Sequence, residues 1–205
     1  MIDVAANTTL AILAGGEGSR MGQPKALLSI AGMPILQYLL QSIRWPGPTM
    51  LVTSPTRQSP PGADAFDAEV IDSVSGFGPL CGIRTALQNA RTESIVVMPV
   101  DMPAIGFEPL RWLVEQLHQS PAFIAAMLRS RDEIQPLPAA FRKSALPLID
   151  NRLAAADYSL RALADAPQIQ ILSTPDSWPD EIWTNLNFPT DLTRFEQSIS
   201  ARFSK

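Results

Sequence analysis

Sulfur and imidazole are almost absent from this chain: among 205 residues there is one cysteine, Cys81, and one histidine, His118. A single cysteine excludes an intrachain disulfide, and one cysteine with one histidine cannot make a Cys/His zinc site. Charge is sparse as well. Charged residues are 18% of the chain, and 16 Lys and Arg against 20 Asp and Glu leave a net charge of −4. No basic stretch breaks that balance, which argues against DNA or RNA as a partner, because phosphate backbones need clustered Lys and Arg. A small anionic ligand needs only two or three well-placed cations and stays open. No apolar run approaches the ~20 residues of a membrane span, and residues 1–16 lack the basic start of a signal peptide. The expectation is a soluble, cytoplasmic protein that binds neither nucleic acid nor membrane.

What the chain does have is a hydrophobic fraction of 46%, a globular balance, in a length that suits one domain with a full-size core. Residues 1–205 are read as that one domain. Short apolar runs alternate with helical patterns. Residues 10–13, 49–53, 68–72, 94–100, 122–128, 137–142 and 168–173 read as strands. The run at 94–100, SIVVMPV, is continuously apolar, as in a parallel strand buried on both faces. Residues 34–43 place apolar side chains on one helical face after Pro34, which suits a first helical turn. Residues 83–91 and 106–119, two short segments between 143 and 166, and the tail from Asp191 also read as helices. This alternation gives an α/β fold of Rossmann-like, doubly wound type, with a mostly parallel central sheet and helices on both faces.

In such a sheet, ligands bind where the strands end, near the point at which strand order reverses. The first strand delivers Leu13, Ala14, Gly15 and Gly16 there, followed by Gly18, Arg20 and Lys25. Glycines let backbone N–H groups approach phosphate oxygens closely, and the two cations add charge. A bare glycine turn with two solvated cations has the same outline. The dinucleotide fingerprint fails, because counting from Gly16 its last glycine falls on Met21. The P-loop fails too, because Pro24 precedes Lys25 and Ala26 follows it.

Taken whole, residues 13–36 resemble the signature of the nucleotidyltransferases typified by molybdenum cofactor guanylyltransferase: Leu-Ala-Gly-Gly, then Ser19-Arg20-Met21-Gly22, Lys25, Leu27-Leu28, Gly32, Pro34 and Leu36. Further matches follow in order along nearly the whole chain. Asp101 closes the most apolar strand, where an aspartate is also a common strand-end cap. The resemblance implies that it holds Mg²⁺, which is typically bound by one or two carboxylates plus substrate phosphates. Asp72 and a glycine-bearing loop with Gly78, Pro79, Leu80 and Gly82 match a segment that contacts the base or ribose. Cys81 lies there where alanine is usual, and reads as a packing residue.

Asn185 and Asn187 fit an Asn-x-Asn-x-Pro pattern linked to the second substrate or the metal, although asparagine there also suits a helix cap. Phe188 stands where threonine is common. Arg161, in Ser-Leu-Arg, matches a residue for the acceptor's phosphate, and an arginine on a helix face is the plainer reading. Gln135 departs from the usual pattern of a segment facing the acceptor. The lone His118 and the scattered tryptophans read as surface and packing.

The resemblance implies a Mg²⁺-dependent transfer of GMP from GTP to the phosphate of molybdopterin or the molybdenum cofactor, with pyrophosphate released. Arg20, Lys25 and Asp101 would act at the reacting phosphates. Leu13, Ala14, Gly15, Gly16, Asp72, Gly78, Pro79, Leu80 and Gly82 would line the nucleotide, and Arg161, Asn185 and Asn187 the acceptor. Molybdoenzyme chaperones are a further implied class of partner. A cytidylyltransferase for the same cofactor and a sugar-phosphate nucleotidyltransferase share most of these motifs. A non-catalytic nucleotide-binding module is the alternative of another class.

Overall fold

The apolar run that opens the chain becomes β1 (Thr8–Leu13), nearly all of it buried. Its side chains alternate across the sheet: Leu10 and Ile12 join one core and Ala11 the other. The computed structural model describes residues 3–16, 18–55, 58–72 and 77–203; part of the glycine-bearing loop expected before Gly78 therefore lies outside the described residues.

After β1 come two 3₁₀ turns and a two-strand hairpin, β2 (Ser29–Ile30) and β3 (Met33–Pro34). Its two loop residues, Ala31 and Gly32, both have positive φ, +49° and +80°, as a type I′ hairpin turn demands. Helix α1 (Ile35–Ile43) buries Ile35, Leu36, Leu39 and Ile43. It stops at Arg44, in the left-handed conformation, whose N–H bonds back to the carbonyl of Leu40. There follow β4 (Thr49–Thr53), β5 (Ala68–Ile71), α2 (Pro79–Asn89), β6 (Ser94–Pro99), α3 (Phe107–Gln119), β7 (Ala125–Ser130), β8 (Glu133–Arg142), α4 (Leu146–Ala154), β9 (Ile169–Ser173) and α5 (Pro189–Phe203).

The seven long strands make one sheet in the order β5-β4-β1-β6-β8-β7-β9. Only β8 runs against the others; every remaining pair is parallel. Helices α1, α3 and α5 pack with one core, and α2 and α4 with the other. The fold is thus the expected doubly wound α/β/α sandwich.

Three elements depart most from the sequence reading. Helix α2 starts at Pro79 rather than near residue 83, with proline in the first turn, where its missing N–H costs nothing. Residues 79–82 are therefore helix and not loop. Strand β7 begins and ends a few residues later than expected. Strand β8 is longer, and its register against β7 jumps between Met127 and Leu128, from Ala139 to Gln135. Pro136 and Pro138 lie in that gap, and neither has an N–H to give the ladder.

The chain runs from β1 outward to β4 and β5, then returns to the other side of β1 to form β6. The order of the strands reverses between β1 and β6. Both point the same way, so the segments following Leu13 and Pro99 open side by side at that reversal.

Candidate active site

At the end of β1 the ladder continues one residue further. The Ala14 N–H donates to the carbonyl of Val52 at 2.8 Å, and Ala14 is buried. Gly15 and Gly16 then emerge at the surface. Ser54, just past β4, donates its hydroxyl to the carbonyl of Gly15 at 3.0 Å, and a Cβ on Gly15 would sit 3.0 Å from that same oxygen. A side chain on Gly15 would have to displace the Ser54 hydroxyl.

Arg20 rides on a 3₁₀ turn, Ser19–Met21, bounded by two glycines in the left-handed conformation, Gly18 and Gly22. Met21 is buried beneath the turn and anchors it. Gly18 is the stricter of the two, since a Cβ there would lie 2.1 Å from the carbonyl oxygen of Gln23. Lys25 begins a second turn, Lys25–Leu27, seated by the buried Ala26 and Leu28. The glycines therefore fold a short loop back on itself, so that Lys25 reaches Asn187 and Arg20 reaches the neighbouring Phe188.

Lys25 meets Asp101 there. Its ammonium donates to Asp101 Oδ2, and also to Asn187 Oδ1 at 2.7 Å. The ion pair is well shielded, its side chains only 17% and 16% exposed. Asp101 follows β6, and its carbonyl accepts the N–H of Leu186 at 2.8 Å, which fastens the C-terminal segment carrying Asn187 to the strand end. The other carboxylate oxygen, Asp101 Oδ1, is buried and has no hydrogen-bond partner. An unsatisfied buried carboxylate oxygen is costly, and a hard oxygen donor of that kind suits a divalent cation such as Mg²⁺. No group of three His, Cys, Asp or Glu that could hold a metal occurs among the described residues. A cation here would need further oxygens from a ligand, as magnesium commonly takes them from phosphates.

The helix cap reading of Asn187 gives way to a different arrangement. Asp191, in the first turn of α5, accepts the N–H groups of Asn187 and Phe188 at 3.0 and 2.8 Å. This is the backward-reaching half of a capping box. It frees the side chain of Asn187 to face Lys25. Phe188 is half exposed and lies under Arg20, whose guanidinium carbon is 5.9 Å from the ring centre.

Asp72 extends the β4–β5 ladder through its N–H to the carbonyl of Thr53, and its Oδ1 accepts the hydroxyl of Thr85 on α2 at 3.2 Å. Gly78 and Pro79 are exposed at the start of α2. Leu80 is fully buried, and Gly82 is buried with its Cβ position 3.1 Å from Leu13. These two seat α2 against β1 rather than reaching outward. Leu13 itself is half-buried, against Gly82.

Asn185 and Arg161 do not join the cluster. Asn185 is exposed and donates to the carbonyl of Trp183; Arg161 is exposed and donates to the carbonyl of Ile134. Cys81 is buried, and burial, with the Asp72 charge next in effect, pushes its thiol above the ordinary 9.0. That is the opposite of an activated nucleophile. Sequence reasoning missed Ser54, Thr85 and Asp191. Only Asp191 carried a local signal, an acidic residue in the first turn of a helix whose preceding residue cannot cap it.

Residues 10–171 match the MobA-like NTP transferase domain. The chain belongs to that family. As a MobA-like NTP transferase the protein is a nucleotidyltransferase, and the matched span covers the glycine loop, Lys25 and Asp101. A probable molybdenum cofactor guanylyltransferase of Carboxydothermus hydrogenoformans is 30% identical over 202 residues, 96% of this chain and 98% of that one. A molybdenum cofactor guanylyltransferase of Serratia proteamaculans is 31% identical over 189 residues, 91% of this chain and 92% of that one. The crystal structure of molybdopterin-guanine dinucleotide biosynthesis protein A from Archaeoglobus fulgidus superposes with a TM-score of 0.80 at 22% identity, covering 95% of this chain and all of that one. It shares the fold.

Proposed function

We propose that the protein transfers GMP from GTP to the terminal phosphate of molybdopterin or its molybdenum-loaded form. An oxygen of the acceptor phosphate attacks the α-phosphorus of GTP. The bond from that phosphorus to the bridging oxygen of the β-phosphate breaks, and pyrophosphate leaves. The acceptor oxygen is already anionic, so no general base is called for, and the scarcity of histidine is no obstacle. Catalysis rests on holding the two phosphates in line and offsetting charge that builds in the transition state.

The observation that carries this reading is the convergence of Lys25, Asp101 and Asn187 at the strand-order reversal. It is supported by full-length similarity to guanylyltransferases. The Lys25 ammonium would engage the triphosphate, as would the guanidinium of Arg20 and the amides of Gly15 and Gly16. Asp101, with its unpartnered Oδ1, would hold Mg²⁺, which when bound offsets phosphate charge as a Lewis acid. Asp72, Gly78 and Pro79 would border the base and ribose. Asn187 would hold Lys25 on the acceptor side, with Asn185 and Arg161 further along that rim. Molybdoenzyme chaperones would receive the product, and the cytoplasm is the compartment that fits this chemistry.

A thermal-shift titration with GTP, CTP, ATP and UTP, each with Mg²⁺, tests the reading, since a ligand that binds only the folded state raises its midpoint by mass action. A shift largest for GTP supports it. A shift confined to CTP moves the assignment to a cytidylyltransferase, and no shift with any of them counts against nucleotidyl transfer from free nucleotide.

A further inference from the structure

Among the described residues, the Arg20 guanidinium lies over the ring of Phe188. It forms no hydrogen bond and no ion pair there, although it stands on a turn held by two left-handed glycines and a buried methionine. Phe188, in turn, occupies a place where a phenylalanine is out of character. It is the residue immediately before α5, the N-cap, where Ser, Thr, Asp and Asn are favoured because their side chains satisfy the first N–H groups. Phenylalanine can do nothing of the kind. Asp191 instead fixes the entry to the helix, accepting the N–H groups of residues 187 and 188 and donating its own N–H to the Phe188 carbonyl at 2.9 Å.

A local rule is thus broken at Phe188 while Asp191 fixes the backbone on either side of it, and broken local rules are found at functional positions. The backbone that fixes Phe188 is the same backbone that presents Asn187 to Lys25. The ring is 48% exposed, which for a single aromatic would mean little; here it stands next in the chain to Asn187, with the Arg20 guanidinium carbon 5.9 Å from its centre.

We infer that Phe188 is a positioning residue for Arg20: its ring holds the guanidinium on the Asn187 side of the glycine loop, where it would meet the triphosphate of the bound nucleotide. A cation resting on a ring is held by the π-face, while the in-plane N–H groups of a guanidinium remain free to bind phosphate oxygens in a fork. The ring thereby restrains a long side chain without competing for its hydrogen bonds. Less rotamer freedom is then lost when phosphate arrives. The inference rests on the reading that the glycine loop holds a nucleoside triphosphate, but it concerns the phosphates and not the base.

Calorimetric titration of the full chain tests it, with Mg²⁺–GTP and with inorganic tripolyphosphate as ligands. Phe188→Ala weakens both by about two- to fivefold, the range set by a partly exposed cation–π contact. Phe188→Trp keeps wild-type affinity, and Phe188→Leu, with bulk but no π-face, behaves as the alanine variant. In an Arg20→Ala background Phe188→Ala changes nothing further. Wild-type affinity in Phe188→Ala, wild-type affinity in Phe188→Leu, or a loss that persists without Arg20 would each overturn the inference. The proposed guanylyl transfer fails separately: if the wild type shows no preference for GTP while the tripolyphosphate series follows this pattern, the base assignment falls and Phe188 keeps its role. Failure of the wild type to bind either ligand overturns both.

Discussion

Lys25 and Asn187 lie 162 positions apart in the chain, and their side chains meet at 2.7 Å. The contact closes a circuit: the loop after β1, Asp101 two residues past β6 and the segment before α5 are joined by one ammonium group shared between a carboxylate and an amide. The loop of the first strand and the C-terminal segment are thereby locked to one geometry. Removing Asn187 leaves Lys25 with Asp101 alone. Asn187→Ala should raise the dissociation constant for Mg²⁺–GTP by about two- to twelvefold, the range for one hydrogen bond, with the melting midpoint nearly unchanged. Titration calorimetry alongside a melting curve checks both.

Lys25→Ala removes a charged donor from the phosphates and costs more. Loss of a charge-assisted hydrogen bond amounts to about 1.5–3 kcal/mol, or about 10- to 150-fold in affinity. The loss should fall on GTP and GDP and spare guanosine. An equal loss for the nucleoside would show that Lys25 acts through the fold.

Asp101→Asn keeps the shape of the side chain and removes the charge that a divalent cation needs. Turnover should fall by about a hundredfold or more, by analogy with the loss of one electrostatic stabiliser in a preorganised site. Manganese binding in the presence of GTP, followed by paramagnetic resonance, should weaken in parallel. Normal manganese binding by this variant would remove Asp101 from the metal site.

Gly18→Ala tests the loop as a mechanical device. The residue has φ +61°, and its Cβ would lie 2.1 Å from a backbone oxygen. A left-handed non-glycine residue costs about 1–2 kcal/mol, and the clash adds to it. The melting midpoint should drop by at least about 2–8 °C for a chain of this size, and nucleotide binding should fall further than in a surface control such as Ser198→Ala.

Cys81 gives a pH prediction. Its thiol is pushed up mainly by burial, so the folded state keeps its proton when the unfolded chain has begun to lose it. Stability is therefore fully present below the ordinary pKa of 9.0 and declines as pH rises above it. Cys81→Ala lacks this contribution, so the difference in melting midpoint between wild type and variant should shift against the wild type between neutral pH and pH about 10. Iodoacetamide should label the native thiol slowly at neutral pH.

Much of the fold was legible because its signals are local and repeated. The continuous apolar runs of β1 and β6 and the helical face of α1 each announce themselves within a few residues. The reversal of strand order follows from those elements and the handedness of their crossovers. What escaped was set by neighbours distant in sequence. That residues 79–82 are helix depends on the packing of Leu80 and Gly82 against β1, and the bulge in β8 depends on which residues of β7 it faces. In the site, Arg20, Lys25 and Asp101 could be named from their motifs, and Asn187 from its spacing. Their mutual contacts could not, since nothing in the sequence around Lys25 points to a residue 162 positions on. Arg161 and Asn185 had comparable local patterns, yet their side chains turn to backbone carbonyls elsewhere.

The most direct measurement is to incubate the protein with molybdopterin, Mg²⁺ and GTP labelled at the α-phosphate, and to follow the label. Transfer of the label to a pterin dinucleotide, with one pyrophosphate released per label transferred, is the result this account predicts, and Asp101→Asn should slow it by about a hundredfold or more. Label that remains in GTP while the protein demonstrably binds the nucleotide, or that transfers from labelled CTP instead, would contradict it.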